Sequence, residues 1–272
     1  NVILNLCFVI GFGMDVDGVA LATIISQALS AVLCVIHLAK KGTIYQLKLS
    51  ALRLDGPLLR EILRYGLPAG IQNSVIGLAN VVVQTNINSF GKMATAAYGA
   101  YSKIEGFAFL PVTSFSMAIT TYVGQNLGAG MKPRARKGAI FGIAAAAIIA
   151  ELIGIATYLA APWLVRLFSR TPEVIELGAR FLRLISLMYF LPALTNGIQG
   201  FFRGIGDLKI TLRSSMLSMA ARVPSAALLV LYFHMEIEAL PWSYAFGWFL
   251  MLAYEVPPML RFLRSGTMEG NE

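Results

Sequence analysis

The chain has 272 residues, of which 57% are hydrophobic and only 13% charged, and its mean hydropathy is +0.70. Soluble domains carry about 25% charge, so the composition excludes a water-soluble globule, and a net charge of +8 on so apolar a chain reads as basic membrane loops rather than a nucleic-acid surface. Its two cysteines, Cys7 and Cys34, lie inside apolar runs and are too few for a disulfide framework or a four-ligand zinc site.

A helix needs about 20 apolar residues to cross a hydrocarbon layer of roughly 30 Å. In chain order the expected spans are a truncated piece at 1–11, then 18–39, 58–90, 94–127, 139–167, 174–202, 207–233 and 240–263. Runs such as Ile140–Ala150 lack the alternation that a membrane barrel requires. The predicted fold class is therefore an all-α polytopic membrane protein. Pro192 is an expected kink, and Pro68, Pro111 and Pro224 are expected to interrupt their helices.

Basic residues stay on the cytoplasmic side. One set of alternate loops holds Lys40, Lys41, Lys48, Arg53, Arg60 and Arg64, then Lys132, Arg134, Arg136 and Lys137, then Arg203, Lys209 and Arg213, then Arg261 and Arg264. The opposite set holds only Lys92, Arg166 and Arg170. The C-terminus is thus expected in the cytoplasm, with Asp15, Asp17, Glu236 and Glu238 outside.

The two acidic loops expose a repeat. An offset of about 221 residues lays Met14-Asp15-Val16-Asp17 on Met235-Glu236-Ile237-Glu238, each joining two apolar helices through an outward turn. Six intervening helices preserve orientation, which points to parallel six-helix lobes. The same offset places the start of the first lobe about 165 residues before Asn1, so the chain reads as a fragment. The expected divisions are 1–40, the end of the first lobe; 41–56, a cytoplasmic linker; 57–265, the second lobe; and 266–272, a tail.

Ionisable groups at membrane depth are costly and suggest function. Glu105, Lys103, Glu151 and Arg222 all fall roughly 15–20 Å into their helices, and Glu255 lies shallower, just before Pro257-Pro258. Mutual pairing inside the bundle is the plainer explanation of these charges. Glu105 stands apart because Tyr98, Ser102, Glu105, Phe109 and Ser116 form one helical stripe of carboxylate, hydroxyls and aromatics. Such a stripe suits an amphiphilic ligand. The preceding helix carries an amide face, Asn73, Gly77, Asn80, Gln84 and Asn88, and Asn196, Gln199 and Arg203 repeat the pattern. Amides on a membrane helix need a wet cavity or a polar neighbour.

Enzyme motifs fail on inspection. Gly204-Ile205-Gly206-Asp207 lacks a second intramembrane Asp and reads as a turn. Gly124–Gly130 lacks the Lys-Ser/Thr ending of a phosphate loop. The only histidines, His37 and His234, sit near the interfaces, so no catalytic or metal-binding residues are predicted.

Four motifs in order, Gly18-Val19-Ala20-Leu21-Ala22-Thr23-Ile24-Ile25-Ser26-Gln27, Tyr65-Gly66-Leu67-Pro68-Ala69-Gly70, Val123-Gly124-Gln125-Asn126-Leu127-Gly128-Ala129-Gly130 and Arg203-Gly204-Ile205-Gly206-Asp207, resemble the multidrug and toxic compound extrusion (MATE) family over nearly the whole chain. The resemblance implies a bacterial inner-membrane antiporter of two six-helix lobes, exporting cationic or amphiphilic drugs in exchange for H+ or Na+ by alternating access. It implies a monomer, with no cofactor beyond the coupling ion and no nucleic-acid partner. This chain would hold the end of the fifth helix, the sixth, and the complete second lobe. Members with a cation site in that lobe place acids on the seventh and tenth helices. Here those helices offer only Glu61 and Glu176, both near their ends, so that site is not carried over and Glu105 is the best acid. The alternative is a flippase for lipid-linked saccharides of related architecture, whose cavity should be strongly cationic to hold pyrophosphate.

Overall fold

In hydrocarbon a backbone can satisfy its polar groups only within its own segment or in a closed barrel, and uninterrupted apolar runs select the first solution. The computed structural model describes residues 1–40, 46–47, 53–233, 235 and 238–265, and every regular element among them is helical. Five helices are long and apolar enough to cross a membrane, which makes this a multi-pass membrane protein. The expected linker lies largely, and the tail wholly, outside the described residues, as do His234, Glu236 and Ile237 of the second acidic loop.

The chain divides into two units, Asn1–Leu59 and Arg60–Glu272. In the first, α1 (Val2–Leu6) widens into a π-helical turn at Cys7–Gly11, and α2 (Val16–Leu38) follows. Gly18 and Ala22 form the buried edge of α2, and most of its remaining surface is exposed and apolar.

The second unit contains α3 (Gly56–Ser89, entering from the first unit), α4 (Lys92–Ala108), α5 (Leu110–Gly128), α6 (Lys132–Arg166), α7 (Pro172–Ser186), α8 (Phe190–Gly204), α9 (Leu208–Leu231) and α10 (Ala239–Ser265). α9 lies along α10, α5 packs against both α6 and α8, and α6 also meets α7. One core gathers Tyr101, Phe181, Leu182, Ile185, Tyr189 and Tyr244. A second, toward the opposite end, gathers Ile119, Val123, Ile143, Phe201, Phe202 and Met259. Where α5 and α8 cross, a Cβ on Gly200 would fall 2.6 Å from the Ser116 carbonyl oxygen, so only glycine permits that approach.

Two expected spans are each built from two helices. The 94–127 segment is interrupted at Phe109, with Pro111 in the first turn of α5, where the missing N–H removes no helical bond. The 174–202 segment breaks at Leu187–Tyr189, ahead of Pro192. There the Glu151 carboxylate accepts the Phe190 N–H at 3.2 Å, satisfying one of the orphan donors of α8. Pro68 and Pro224, by contrast, lie within continuous helices, which corrects the expectation that they interrupt them. A spanning helix loses less by giving up one bond than by unravelling in lipid.

Candidate functional site

α4 carries Glu105 about 20 Å from its first residue, and the carboxylate meets hydroxyls and aromatic rings. Tyr101, one turn earlier and fully buried, donates its hydroxyl proton to Glu105 Oε1. The Tyr101 ring packs 4.4 Å from that of Phe181. Tyr98 and Tyr244 share a hydroxyl contact of 3.2 Å. The Arg222 guanidinium lies 3.8 Å above the Tyr244 ring, within electrostatic reach of Glu105. The cluster therefore combines one carboxylate, one guanidinium and a cage of tyrosines, which suits a ligand with an apolar body and a cationic end.

A second cluster forms around Glu255 of α10, which is 0% exposed. Ser214 donates its hydroxyl proton to Glu255 Oε1, and Gln199 Nε2 donates to the same oxygen at 2.9 Å. Gln72 Nε2 donates to Ser215 Oγ at 2.7 Å, tying α3 to α9. Nearby, Arg203 donates to Ser116 Oγ at 2.7 Å, and Ser116 donates to the Asn196 carbonyl at 2.5 Å. Thr211, Ser214, Ser215 and Ser218 follow one face of α9, all buried, and Arg222 continues that face one turn on. A hydroxyl-lined stripe thus runs from the Glu255 cluster to the Glu105 cluster. Several buried atoms along it lack a protein partner among the described residues: Glu255 Oε2, Ser218 Oγ, and the Nε atoms of Arg203 and Arg222. Unpaired buried polar atoms are rare in folded proteins and mark places that handle water, ions or ligands.

The structure brings together some of the expected residues and separates others. Tyr98 and Glu105 share the first cluster, and Phe109 packs edge-on against Tyr189 at 5.5 Å. Ser102 is exposed and, among the described residues, bonds only to the Gly99 carbonyl of its own helix, while Ser116 belongs to the second cluster. On α3, Asn73, Asn80 and Asn88 are exposed. Gln84, half-buried, bonds Asn88 at 3.0 Å, whereas Gln72 is buried. Asn196 donates to the Pro192 carbonyl, and Gln199 is buried beside Glu255. Lys103 is exposed. No ion pair joins Lys103, Glu105, Glu151, Arg222 and Glu255 among the described residues. Each described acid among them instead meets a hydrogen-bond donor, because serine, tyrosine and amide groups reach it at lower cost than a second buried charge. Sequence reasoning missed Tyr101, Ser214 and Ser215, and counted Gln72 among the amides of α3 without placing it on the shared face. The i, i+4 spacing of Tyr101 and Glu105 and the hydroxyl repeat of α9 were the available signals.

The MatE family model matches residues 68–228, more than half of the chain. The chain is 28% identical over 246 residues to the probable multidrug resistance protein NorM of Thermotoga maritima, covering 87% of this chain and 52% of that protein. It is 28% identical over 247 residues to the probable multidrug resistance protein YoeA of Bacillus subtilis, covering 89% and 53%. The chain spans about half the length of the curated relatives it matches. Among solved structures, the outward-facing conformation of a multidrug resistance MATE family transporter of the MOP superfamily superposes with a TM-score of 0.88 at 19% identity, over 97% of this chain and 60% of that one. The helical fold is therefore that of these transporters.

Proposed function

This chain belongs to the MatE family, and from that membership we propose that it forms the second lobe, with the end of the first, of an antiporter that exports cationic or amphiphilic compounds in exchange for H+ or Na+. The names of the relatives, multidrug resistance proteins and not enzymes, support the substrate class. The observation that carries the reading is the Glu105 carboxylate among Tyr98, Tyr101 and Tyr244. An ionised Glu105 attracts a lipophilic cation while the rings hold its body. Protonation removes the Coulomb attraction and leaves the aromatic contacts, so the cation departs. The two lobes then alternate access around this site in a bacterial inner membrane, the C-terminus in the cytoplasm and the protein a monomer. The carboxylates Glu105 and Glu255 weigh against a flippase cavity selecting pyrophosphate.

The test is drug efflux from cells carrying the full-length protein with Glu105→Gln. Loss of a contact charge in a poorly screened site predicts efflux reduced at least about tenfold, with the response to external pH flattened. Unchanged transport with an unchanged pH response would remove Glu105 from the mechanism.

A further inference from the structure

At the α6–α7 end of the second unit, arginines stand where a membrane protein has least reason to keep them. Arg166 closes α6, Arg170 follows it, and Arg180 and Arg183 lie on α7. The four line one groove of about 1010 Å³ together with Tyr158 and Trp242. Positive residues are normally retained at the other face. Arg183 is the most costly, since its Cα lies about 16 Å along α7 from Pro172. Side chains lean toward the start of their helix, so Arg183 reaches back toward the groove. It lies 5.7 Å from the centre of the Tyr158 ring and forms no ion pair among the described residues. Arg180 is held by Glu238 at 2.6 Å, and Glu176 also lines the groove. Even with both acids counted, positive charge is in excess.

A second groove, of about 1060 Å³, shares Met188 and Trp242 with the first and is lined by apolar side chains that include Phe190, Leu228, Phe246 and Phe249. A basic recess thus adjoins an apolar trough, with Met188 and Trp242 lining both. Indole and phenol rings favour the depth of lipid headgroups, and Trp242 and Tyr158 supply both.

We propose that these adjoining grooves bind an anionic phospholipid, its phosphate held by Arg166 and Arg183 and an acyl chain lying in the Phe190–Phe246–Phe249 trough. The proposal rests on the membrane orientation given above, which places this end of the bundle outside and the lipid in the outer leaflet. Charge complementarity selects an anionic headgroup over a zwitterionic one, and the trough selects a lipid over a free anion.

The test uses the purified full-length protein equilibrated with mixed phosphatidylglycerol and phosphatidylethanolamine micelles, then delipidated stepwise while retained lipid is quantified by mass spectrometry. The wild type retains phosphatidylglycerol preferentially. Arg166→Gln/Arg183→Gln lowers that retention roughly thirtyfold, whereas Arg166→Lys/Arg183→Lys keeps most of it and controls for folding. Equal retention of the two lipids, or equal retention by wild type and the Gln variant, would overturn the proposal. So would displacement of the lipid by millimolar inorganic phosphate, which would mark a small-anion site. Retention does not read transport, so a failure of drug–ion exchange leaves this result standing, and the reverse.

Discussion

Glu105 and Glu255 meet the cost of burial in different ways. Glu105 is half-buried and has one hydroxyl donor, Tyr101, within a ring of aromatics. Glu255 is fully enclosed and takes two donors on one oxygen, leaving the other without a protein partner among the described residues. The first arrangement leaves the carboxylate available to a ligand, and the second builds it into the helix contacts. Ser214→Ala removes one of the donors of Glu255 and is expected to destabilise the full-length protein by about 0.6–1.7 kcal/mol in a detergent unfolding assay. Ser102→Ala, at an exposed hydroxyl bonded only to its own helix, should leave the midpoint in place. Equal effects would mean that the Glu255 cluster contributes nothing special to stability.

The crossing of α5 and α8 shows how elements set these residues in place. Gly200 lets the two helices approach until Ser116 donates to the Asn196 carbonyl and Thr120 donates to the Gly200 carbonyl at 3.0 Å. The same approach delivers Arg203 to Ser116 and leaves Gln199 pointing at α10. Gly200→Val forces these backbones apart and is expected to cost about 1–3 kcal/mol. A Cβ on Gly128, at the end of α5, would meet nothing within 4 Å, so Gly128→Ala should be neutral in the same detergent unfolding assay. Comparable losses at both positions would contradict the close α5–α8 packing. The breaks at Phe109 and Leu187–Tyr189 belong to this level too. A proline alone does not decide whether a helix breaks. Pro111 and Pro192 start new helices while Pro68 and Pro224 do not, and the backbone cap that Glu151 supplies to α8 comes from a residue distant in sequence.

For the whole molecule, composition and run length were enough to read an all-helical membrane chain, because the hydrocarbon layer fixes both the length and the apolarity of a span. Helical spacing also identified Tyr98 and Glu105 as neighbours. It could not identify Tyr101 as the Glu105 donor, since that depended on how α4 is turned against α7 and α10. Nor could it weigh Glu255 fully: its proximity to Pro257-Pro258 suggested a shallow position, while its donors come from α8 and α9, far away in sequence. The amides of α3 divide on the same ground. Spacing grouped Asn73 with Asn80, yet the rotation of the helix turns Gln72 inward to Ser215. Pairing among buried charges was the simplest expectation from charge alone, and the structure replaces it with hydroxyl and amide donors. The hydroxyl stripe of α9 then links the two acid clusters, giving a polar interior to a unit with many exposed apolar side chains.

The most direct measurement is binding of radiolabelled tetraphenylphosphonium to the purified full-length protein across a pH series, for the wild type and Glu105→Gln. On the proposed mechanism, in which an ionised Glu105 holds the cation and protonation releases it, the wild type should bind more weakly as pH falls. The variant should bind at least about tenfold more weakly and with a flat pH dependence. A variant that binds the cation as tightly as the wild type, with the same pH dependence, would contradict the account.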